Sequence, residues 1–237
     1  PTTAGTGSEV GRAALIAMKD GRKIGFISPH LIPKAAICDP ELTMGLPPHL
    51  TAATGMDALA HCVETFLSPA VNPPADAIAL DGLGRALAFI ESAVADGTDR
   101  DARWQMMMAS LEGGLAFQKG LGAVHALSHP LGGLRAPVLH HGTLNAVFLP
   151  GVLRFNAAAA PDKFETLRAH MGDDPDEVIT ALNQRLDLPT SLSAMGVPES
   201  VLADIALAAA KDHCTATNPR PVTVADYRKL LEECFAG

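Results

Sequence analysis

The 237-residue chain is poor in aromatic residues, which make up only 4% of it, whereas Ala and Leu are abundant. This composition favours closely packed helices. The sequence also lacks any basic run of five or more residues, and its formal net charge is −8 at pH 7. Because a nucleic-acid surface needs a basic face, the sequence excludes a nucleic-acid partner.

Long apolar runs and paired cysteine motifs are missing as well. No apolar stretch approaches the roughly 18 residues needed to cross a bilayer, and no secretory signal pattern is present. We therefore expect no membrane partner. Four cysteines are scattered along the chain without Cys-x-x-Cys spacing, which is typical of reduced thiols in a cytoplasmic protein.

Two kinds of apolar pattern divide the chain. Residues 10–18 and 23–28 are apolar-rich runs that flank a Lys-Asp-Gly-Arg turn signal, so they predict a β-hairpin, and residues 35–38 form a third strand-like run. From about Pro47 the apolar residues recur at helical spacing. The predicted fold class is mainly α, with a short N-terminal β-hairpin before a helical domain.

Nine helices are predicted after the hairpin. Acidic residues in the first turns at 174–177 and 198–200 support two of them, and Thr223 is a candidate cap for the last. The predicted ranges are 49–67, 74–96, 101–119, 122–129, 142–156, 161–171, 174–186, 198–211 and 224–235.

Three segments of the sequence offer potential metal ligands. Asp57 and His61 are four residues apart, so a helix would project both from one face. His125 lies in a second segment, and the adjacent His140 and His141 lie in a third. Each histidine alone is more often a capping or hydrogen-bonded core residue, but several in apolar surroundings need a common partner. Three imidazoles and one carboxylate would suit Fe(II) or Zn(II).

Six motifs spread along the whole chain carry a family resemblance. They are Pro-Thr-Thr-Ala-Gly-Thr-Gly-Ser-Glu-Val at 1–10, Asp-Pro-Glu-Leu-Thr at 39–43, Ala-Thr-Gly-Met-Asp-Ala-Leu-Ala-His at 53–61, His-Ala-Leu-Ser-His-Pro-Leu-Gly at 125–132, His-Gly-Thr-Leu-Asn-Ala at 141–146 and Cys-Thr-Ala-Thr-Asn-Pro-Arg-Pro at 214–221. In this order they resemble the iron-containing (group III) alcohol dehydrogenases. Maleylacetate reductases, glycerol dehydrogenases and dehydroquinate synthases resemble the chain more distantly.

The resemblance implies a domain organisation. The chain is expected to be the C-terminal half of a dehydroquinate-synthase-like enzyme, which pairs an α/β domain with an α domain. Residues 1–45 would end the nucleotide-binding domain, and residues 46–237 would form the helical metal- and substrate-binding domain. The rest of the nucleotide-binding domain, with its Gly-Gly-Gly-Ser phosphate loop, is expected to be largely absent, so the chain alone is expected to be inactive.

The resemblance also implies a set of functional residues. The interval between His125 and His141 is slightly longer than in many relatives, which leaves His140 as the alternative ligand to His141. His129 is expected beside the metal, where it would relay a proton or bind substrate, or else play a structural part at the helix end. The implied metal ligands are Asp57, His61, His125 and His141, and the implied cofactor-binding residues are Thr2, Thr3, Gly5, Thr6, Lys23 and Leu42.

The implied activity is hydride transfer between a small alcohol or aldehyde and NAD or NADP, assisted by Fe(II) or by Zn(II), in a protein that would be a homodimer. A metal-free reductase resembling maleylacetate reductases and a non-catalytic helical metal-binding module are the alternatives. Three further carboxylates are assigned no direct chemistry. Asp39 is expected to cap a turn, Glu64 to be a helix-face carboxylate or a partner of the metal ligands, and Asp212 to be structural.

Overall fold

The computed structural model describes residues 1–18 and 23–237. The described chain begins with an antiparallel pair of strands, β1 (Ala13–Ala17) and β2 (Lys23–Ile27), in which Ala13 lies opposite Ile27. The predicted hairpin is therefore confirmed, while its turn, residues 19–22, lies outside the described residues. The third predicted strand was wrong: residues 35–38 follow an irregular path, and three of the four are exposed. In the described ranges, the sheet consists of β1 and β2 only, so this run has no strand to pair with.

All the predicted helices form, with ends that shift by a few residues. Within residues 1–18 and 23–237 they are α1 (Pro48–Leu67), α2 (Pro73–Ala95), α3 (Arg100–Ala116), α4 (Ala123–Leu131), α5 (His141–Asn156), α6 (Pro161–Met171), α7 (Pro175–Arg185), α8 (Leu202–Ala209) and α9 (Val224–Ala236).

Two predicted helices were too long. The range 101–119 ends as a tighter 3-10 turn at Phe117–Lys119, where Gly120 leaves the helical path with a φ of 122°. The range 198–211 begins with another 3-10 turn at Glu199–Val201, and α8 then ends at Ala209. Helix ends commonly tighten in this way because their terminal backbone groups have no α-helical partner.

The expected caps are present. The carboxylate of Asp39 accepts a hydrogen bond from the backbone N–H of Glu41 at the start of a short 3-10 helix, Pro40–Thr43. At the start of α9, Thr223 and Asp226 form a reciprocal capping box. Such caps satisfy backbone donors that the first helical turn leaves free.

Helix α1 is the centre of the helical domain, since every residue from Thr51 to Leu67 is buried. Glycines let its neighbours pack against it at short range. A Cβ added to Gly55 would lie 2.7 Å from the Cδ1 atom of Ile90 on α2, and one added to Gly142 on α5 would lie 2.0 Å from the carbonyl oxygen of Ala53. The backbone of α5 at Gly142 therefore contacts the backbone of α1 directly, with no side chain between them. This contact lies one turn before Asp57.

Two buried cations hold the two ends of α1. The guanidinium of Arg103 donates to the hydroxyl of Thr51 and to the carbonyl of Leu46. At the other end, the ammonium of Lys119 donates to the carbonyls of Thr65 and Phe66. A cation near the C-terminal carbonyls also interacts favourably with the helix dipole. In the described part of the chain, none of the helices combines the length and apolarity that crossing a bilayer requires.

Candidate metal centre

Three helices bring one carboxylate and three imidazoles together. Asp57 and His61 lie one turn apart on α1, His125 lies on α4, and His141 is the first residue of α5. The Oδ1 atom of Asp57 is 3.7 Å from Nε2 of His61, 3.6 Å from Nε2 of His125 and 3.6 Å from Nε2 of His141. Asp57, His61 and His125 are buried, and His141 is partly buried.

The spacing of these atoms fits a divalent ion. A tetrahedral ion with bonds of about 2.1 Å needs ligand atoms about 3.4 Å apart, close to the three separations around Asp57. Ligand atoms of Asp57, His61 and His125 all lie within 4.8 Å of one another, and His141 joins them through Asp57. In the described residues the Nδ1 atoms of His61 and His141 are buried without a hydrogen-bond partner.

Burial controls the protonation of two of the histidines. It lowers the pKa of His61 to about 4 and that of His141 to about 3, against the attraction of the Asp57 carboxylate. Both rings are therefore neutral near pH 7, the form that binds metal. For Asp57 burial opposes ionisation, but the neighbouring histidines outweigh it and hold the pKa of this carboxyl far below its usual range.

His125 has the opposite electrostatic behaviour. Burial lowers its pKa, but hydrogen bonds to Asp57 and Glu64 outweigh burial and raise the pKa to about 9. Its ring lies between the two carboxylates: Nδ1 is 2.7 Å from Oε2 of Glu64, while Nε2 faces Asp57. An ion bound at Nε2 would have to displace a proton from this ring.

The expectation that Glu64 is a simple helix-face carboxylate was wrong. Glu64 is buried, and besides His125 it accepts a hydrogen bond of 2.7 Å from the backbone N–H of Val124. It thereby caps α4, whose own N-cap residue, Gly122, supplies no side chain. The spacing could have indicated this role, because Glu64 follows Asp57 by seven residues and His61 by three, which places all three on one helical face.

Asn145 is a member of the site that the sequence reasoning did not single out. Its side-chain Nδ2 donates to Oδ1 of Asp57 at 2.8 Å and lies 3.3 Å from Nε2 of both His125 and His141. The amide nitrogen thus sits among the same atoms that were predicted to bind the ion. Asn145 follows His141 by four residues, a spacing that puts both on one face of α5.

His129 lies beside this group, one turn after His125. Its Nδ1 atom is 3.0 Å from Oδ2 of Asp212, and its ring stacks on that of His141 with centroids 5.5 Å apart. Asp212, which was expected to be structural, therefore orients a histidine next to the site. The other candidate ligand, His140, is an exposed residue that precedes α5 as its N-cap. It is His141 whose ring faces Asp57.

The predicted cofactor residues lie in separate segments. Thr2, Thr3, Gly5 and Thr6 belong to the N-terminal loop, which lies against the helices: a Cβ added to Gly5 would be 2.7 Å from the carbonyl oxygen of Thr54. Thr2 and Thr6 are exposed. Leu42 lies on the 3-10 helix Pro40–Thr43 with an exposed side chain. The side chain of Lys23 lies outside the described residues.

Comparison with known proteins identifies the family. Residues 51–235 match the Fe-containing alcohol dehydrogenase family, C-terminal, and residues 1–40 match iron-containing alcohol dehydrogenase. A 4-hydroxybutyrate dehydrogenase of Cupriavidus necator is 58% identical over 98% of this chain and 64% of its own length. An NAD-dependent methanol dehydrogenase of Bacillus methanolicus is 36% identical over 99% of this chain and 65% of its own.

A solved structure agrees with this assignment. A 1,3-propanediol oxidoreductase superposes with a TM-score of 0.94 at 37% identity, over 99% of this chain and 64% of that one. The chain thus spans 64 to 65% of the length of these relatives. The family match covers most of the chain and contains all four predicted metal ligands. The chain belongs to the iron-containing alcohol dehydrogenase family.

Proposed function

We propose that this chain supplies the metal- and substrate-binding part of an NAD(P)-linked alcohol or aldehyde oxidoreductase. One observation carries the proposal: a single buried carboxylate oxygen, on Asp57, lies 3.6 to 3.7 Å from Nε2 of three histidines. Asp57, His61, His125 and His141 would bind the ion. This N3O set favours Fe(II), as the family name implies, with Zn(II) as the alternative.

The protein residues around this group support such a role. A metal held by Asp57, His61, His125 and His141 would supply a Lewis acid for the substrate oxygen, and a bound nicotinamide would supply the hydride acceptor or donor. Glu64 accepts a hydrogen bond from the Nδ1–H of His125, which leaves Nε2 of that ring directed at Asp57. A carboxylate behind a ligand histidine fixes the tautomer and raises the basicity of the ring.

We assign proton transfer to His129. Its ring lies against His141, and Asp212 accepts at its Nδ1, so this nitrogen carries the proton in the neutral ring. The other nitrogen, Nε2, is then the atom that can accept a proton from a substrate hydroxyl. Asp212 would stabilise the imidazolium that forms, which is the usual task of a carboxylate behind a catalytic histidine.

The domain division and the cofactor site extend the proposal. Residues 1–45 would close the cofactor cleft against the helical domain of residues 46–237, with Thr2, Thr3, Gly5, Thr6, Lys23 and Leu42 bordering NAD or NADP. Gly5 supports this arrangement, because its lack of a side chain lets the N-terminal loop lie against Thr54 on α1. All four cysteines, which lie in the described ranges, are free, in keeping with a cytoplasmic enzyme. A homodimer remains part of the proposal.

The substrate would be a small alcohol or aldehyde. The relatives act, by name, on 4-hydroxybutyrate, methanol and 1,3-propanediol, all of which carry a primary hydroxyl on a short chain. Short ω-hydroxy acids are the first class to test, because the 4-hydroxybutyrate enzyme is the relative at 58% identity. A metal-free reductase would have no use for the buried Asp57 and its three histidines, which disfavours that alternative.

The test has two parts. The chain, purified without chelator and reconstituted anaerobically with Fe(II) or Zn(II), should bind metal that His61→Ala loses. The full-length protein should then oxidise a member of a panel of short primary alcohols, diols and ω-hydroxy acids, followed by the absorbance of reduced nicotinamide. A number of bound metal equivalents that His61→Ala leaves unchanged would refute the ligand set. Metal binding without turnover on any panel member would instead support the non-catalytic module.

A further inference from the structure

A second group of ligand-type side chains lies on the far side of His129 from the metal centre. It consists of His129 together with Asp212, His213 and Cys214, which offer ligand atoms that all lie within 4.8 Å of one another. Oδ2 of Asp212 is 3.0 Å from Nδ1 of His129, and its Oδ1 is 3.5 Å from Nδ1 of His213. The Sγ atom of Cys214 is 3.5 Å from Nε2 of His213.

We propose that His129, Asp212, His213 and Cys214 form a second site, which binds a borderline divalent ion such as Zn(II) or Co(II). An ion held there replaces the Nδ1 proton that His129 shares with Asp212, so the proton transfer assigned to His129 takes place only while this second site is empty. The set provides two imidazoles, one carboxylate and one thiolate, a combination that such ions prefer and that Mg(II) or Ca(II) does not. Bonds of about 2.0 to 2.3 Å in a tetrahedral site require ligand atoms about 3.3 to 3.8 Å apart. The ligand atoms, one from each of the four residues, all lie within 4.8 Å of one another, so they have to close by about 1 Å to reach that geometry.

The backbone around the site is already fixed. The Oδ1 atom of Asp212 accepts from the backbone N–H of Cys214 at 2.8 Å, and this bond starts the 3-10 helix His213–Thr217. The hydroxyl of Thr215 in turn donates to the carbonyl of Ala209 at the end of α8. Three of the four side chains thus come from one short, hydrogen-bonded segment. Because this segment is already ordered, binding an ion would cost little backbone conformational entropy.

The site is open on one side and closed on the other. The side chain of His213 is 60% exposed, so an ion can reach it from solvent. His129 and Asp212 are partly buried, and Cys214 is fully buried. An exposed histidine in front of a buried thiol provides the entry path that a binding site needs.

The state of the thiol gives the site a chemical signature. A cysteine thiol ordinarily keeps its proton near pH 7. A divalent ion bound to this sulfur displaces that proton, because a coordinated thiol is deprotonated. Binding would form one metal–sulfur bond and release one proton from Cys214 to solvent.

The sulfur also separates this site from the one at Asp57, whose predicted ligands are nitrogen and oxygen atoms only. Co(II) bound to a thiolate has a sulfur-to-metal charge-transfer absorption in the near ultraviolet, which Co(II) bound to nitrogen and oxygen lacks. Anaerobic titration of the metal-free chain with Co(II) should therefore give two equivalents of bound ion, one of them accompanied by this absorption. Binding of a single equivalent with no such band would overturn the proposal.

Three cysteine and histidine variants assign the band. Cys214→Ser should remove it, whereas Cys38→Ser, at a partly buried cysteine away from the site, should leave it unchanged. His61→Ala should remove the bound ion that lacks the charge-transfer band and keep the ion that shows it. Each site can therefore be lost without the other. A band that survives in Cys214→Ser would show that another thiol binds the ion and would overturn the assignment.

Because Cys214 is buried, its replacement could disturb folding, so His213→Ala provides a second test. His213 is exposed, and its removal should leave the circular dichroism and the thermal unfolding midpoint unchanged. The affinity of the banded equivalent should fall at least about 10- to 100-fold, the loss that even an outer-shell partner causes. An unchanged affinity would mean that Asp212 serves only to hold His129, with no ion at this place.

Discussion

Glu64→Gln is the most informative single substitution in the metal centre, because the Glu64 carboxylate performs two tasks with two oxygens. One oxygen accepts from the Nδ1–H of His125 at 2.7 Å, and the other accepts from the backbone N–H of Val124 at 2.7 Å. Glutamine has the same shape, but it keeps one acceptor and replaces the other by an NH2 donor. One of the two N–H groups would then face a donor in a buried place.

The magnitude follows from the lost hydrogen bond. A bond to a charged group contributes about 1.5 to 3 kcal/mol, and a buried donor left without a partner costs about 1 to 3 kcal/mol. We therefore expect the free energy of unfolding of the metal-free chain to fall by about 2 kcal/mol. The affinity for metal should fall about 10- to 100-fold, because a ligand histidine loses the carboxylate that orients it.

The assays are urea unfolding of the metal-free chain and metal titration against a competing chelator. Glu91→Gln is the matched control. Glu91 is a carboxylate whose exposed ion pair with Arg185 on the surface contributes less than about 1 kcal/mol. The control should change neither the metal affinity nor the stability by a comparable amount. An unchanged metal affinity in Glu64→Gln would refute the view that Glu64 holds His125 for the metal.

Three other predictions concern the same centre. His141→Ala should remove most metal affinity and His140→Ala should have little effect; the reverse order, measured by metal analysis after dialysis, would move the ligand by one residue. Metal affinity should rise about tenfold per pH unit through the neutral range and level off near pH 9, because an ion must displace the proton that His125 binds below its pKa of about 9. Calorimetry in buffers of different ionisation enthalpy should count about one proton released per ion. A pH-independent affinity would contradict this. Gly142→Ala should lower both the thermal unfolding midpoint and the metal affinity, since its Cβ would lie 2.0 Å from the carbonyl oxygen of Ala53. Gly84→Ala is the control, because Gly84 is exposed and a Cβ there meets nothing within 4 Å. Equal midpoints for the two alanine variants would rule out the close helix contact.

Part of the candidate site could be predicted from residue spacing, and the rest from the family motifs. Asp57 and His61 had to share a face of α1 because they are one helical turn apart, and helix α1 itself was predicted to within one residue of its start. The choice between His140 and His141 depended on the following Gly-Thr-Leu-Asn motif, since both residues precede the predicted helical range 142–156. The local pattern was informative wherever neighbours in sequence are also neighbours in space.

The sequence was less informative where distant segments meet. Glu64 and His125 are 61 positions apart, and their contact depends on how the end of α1 packs against the start of α4, which no local pattern encodes. The same holds for His129 and Asp212, which are 83 positions apart. The prediction of a strand at 35–38 was wrong for a related reason. A strand needs a neighbouring strand to pair with, and an apolar pattern does not show whether one is present.

The contact between Gly142 and Ala53 has a consequence for how this family can vary. Gly142 follows His141 directly and allows α5 to rest on the backbone of α1, so the place of the histidine is set from its C-terminal side. The connection from Gly132 to His140 is more exposed, since Arg135, Ala136, Val138 and His140 all face solvent. We therefore expect insertions and deletions in this connection to leave His141 facing Asp57, whereas a single residue inserted between His141 and Gly142 would turn the imidazole away from Asp57. For recognising remote relatives, the His-Gly step is a more dependable landmark than the number of residues that separates the histidines.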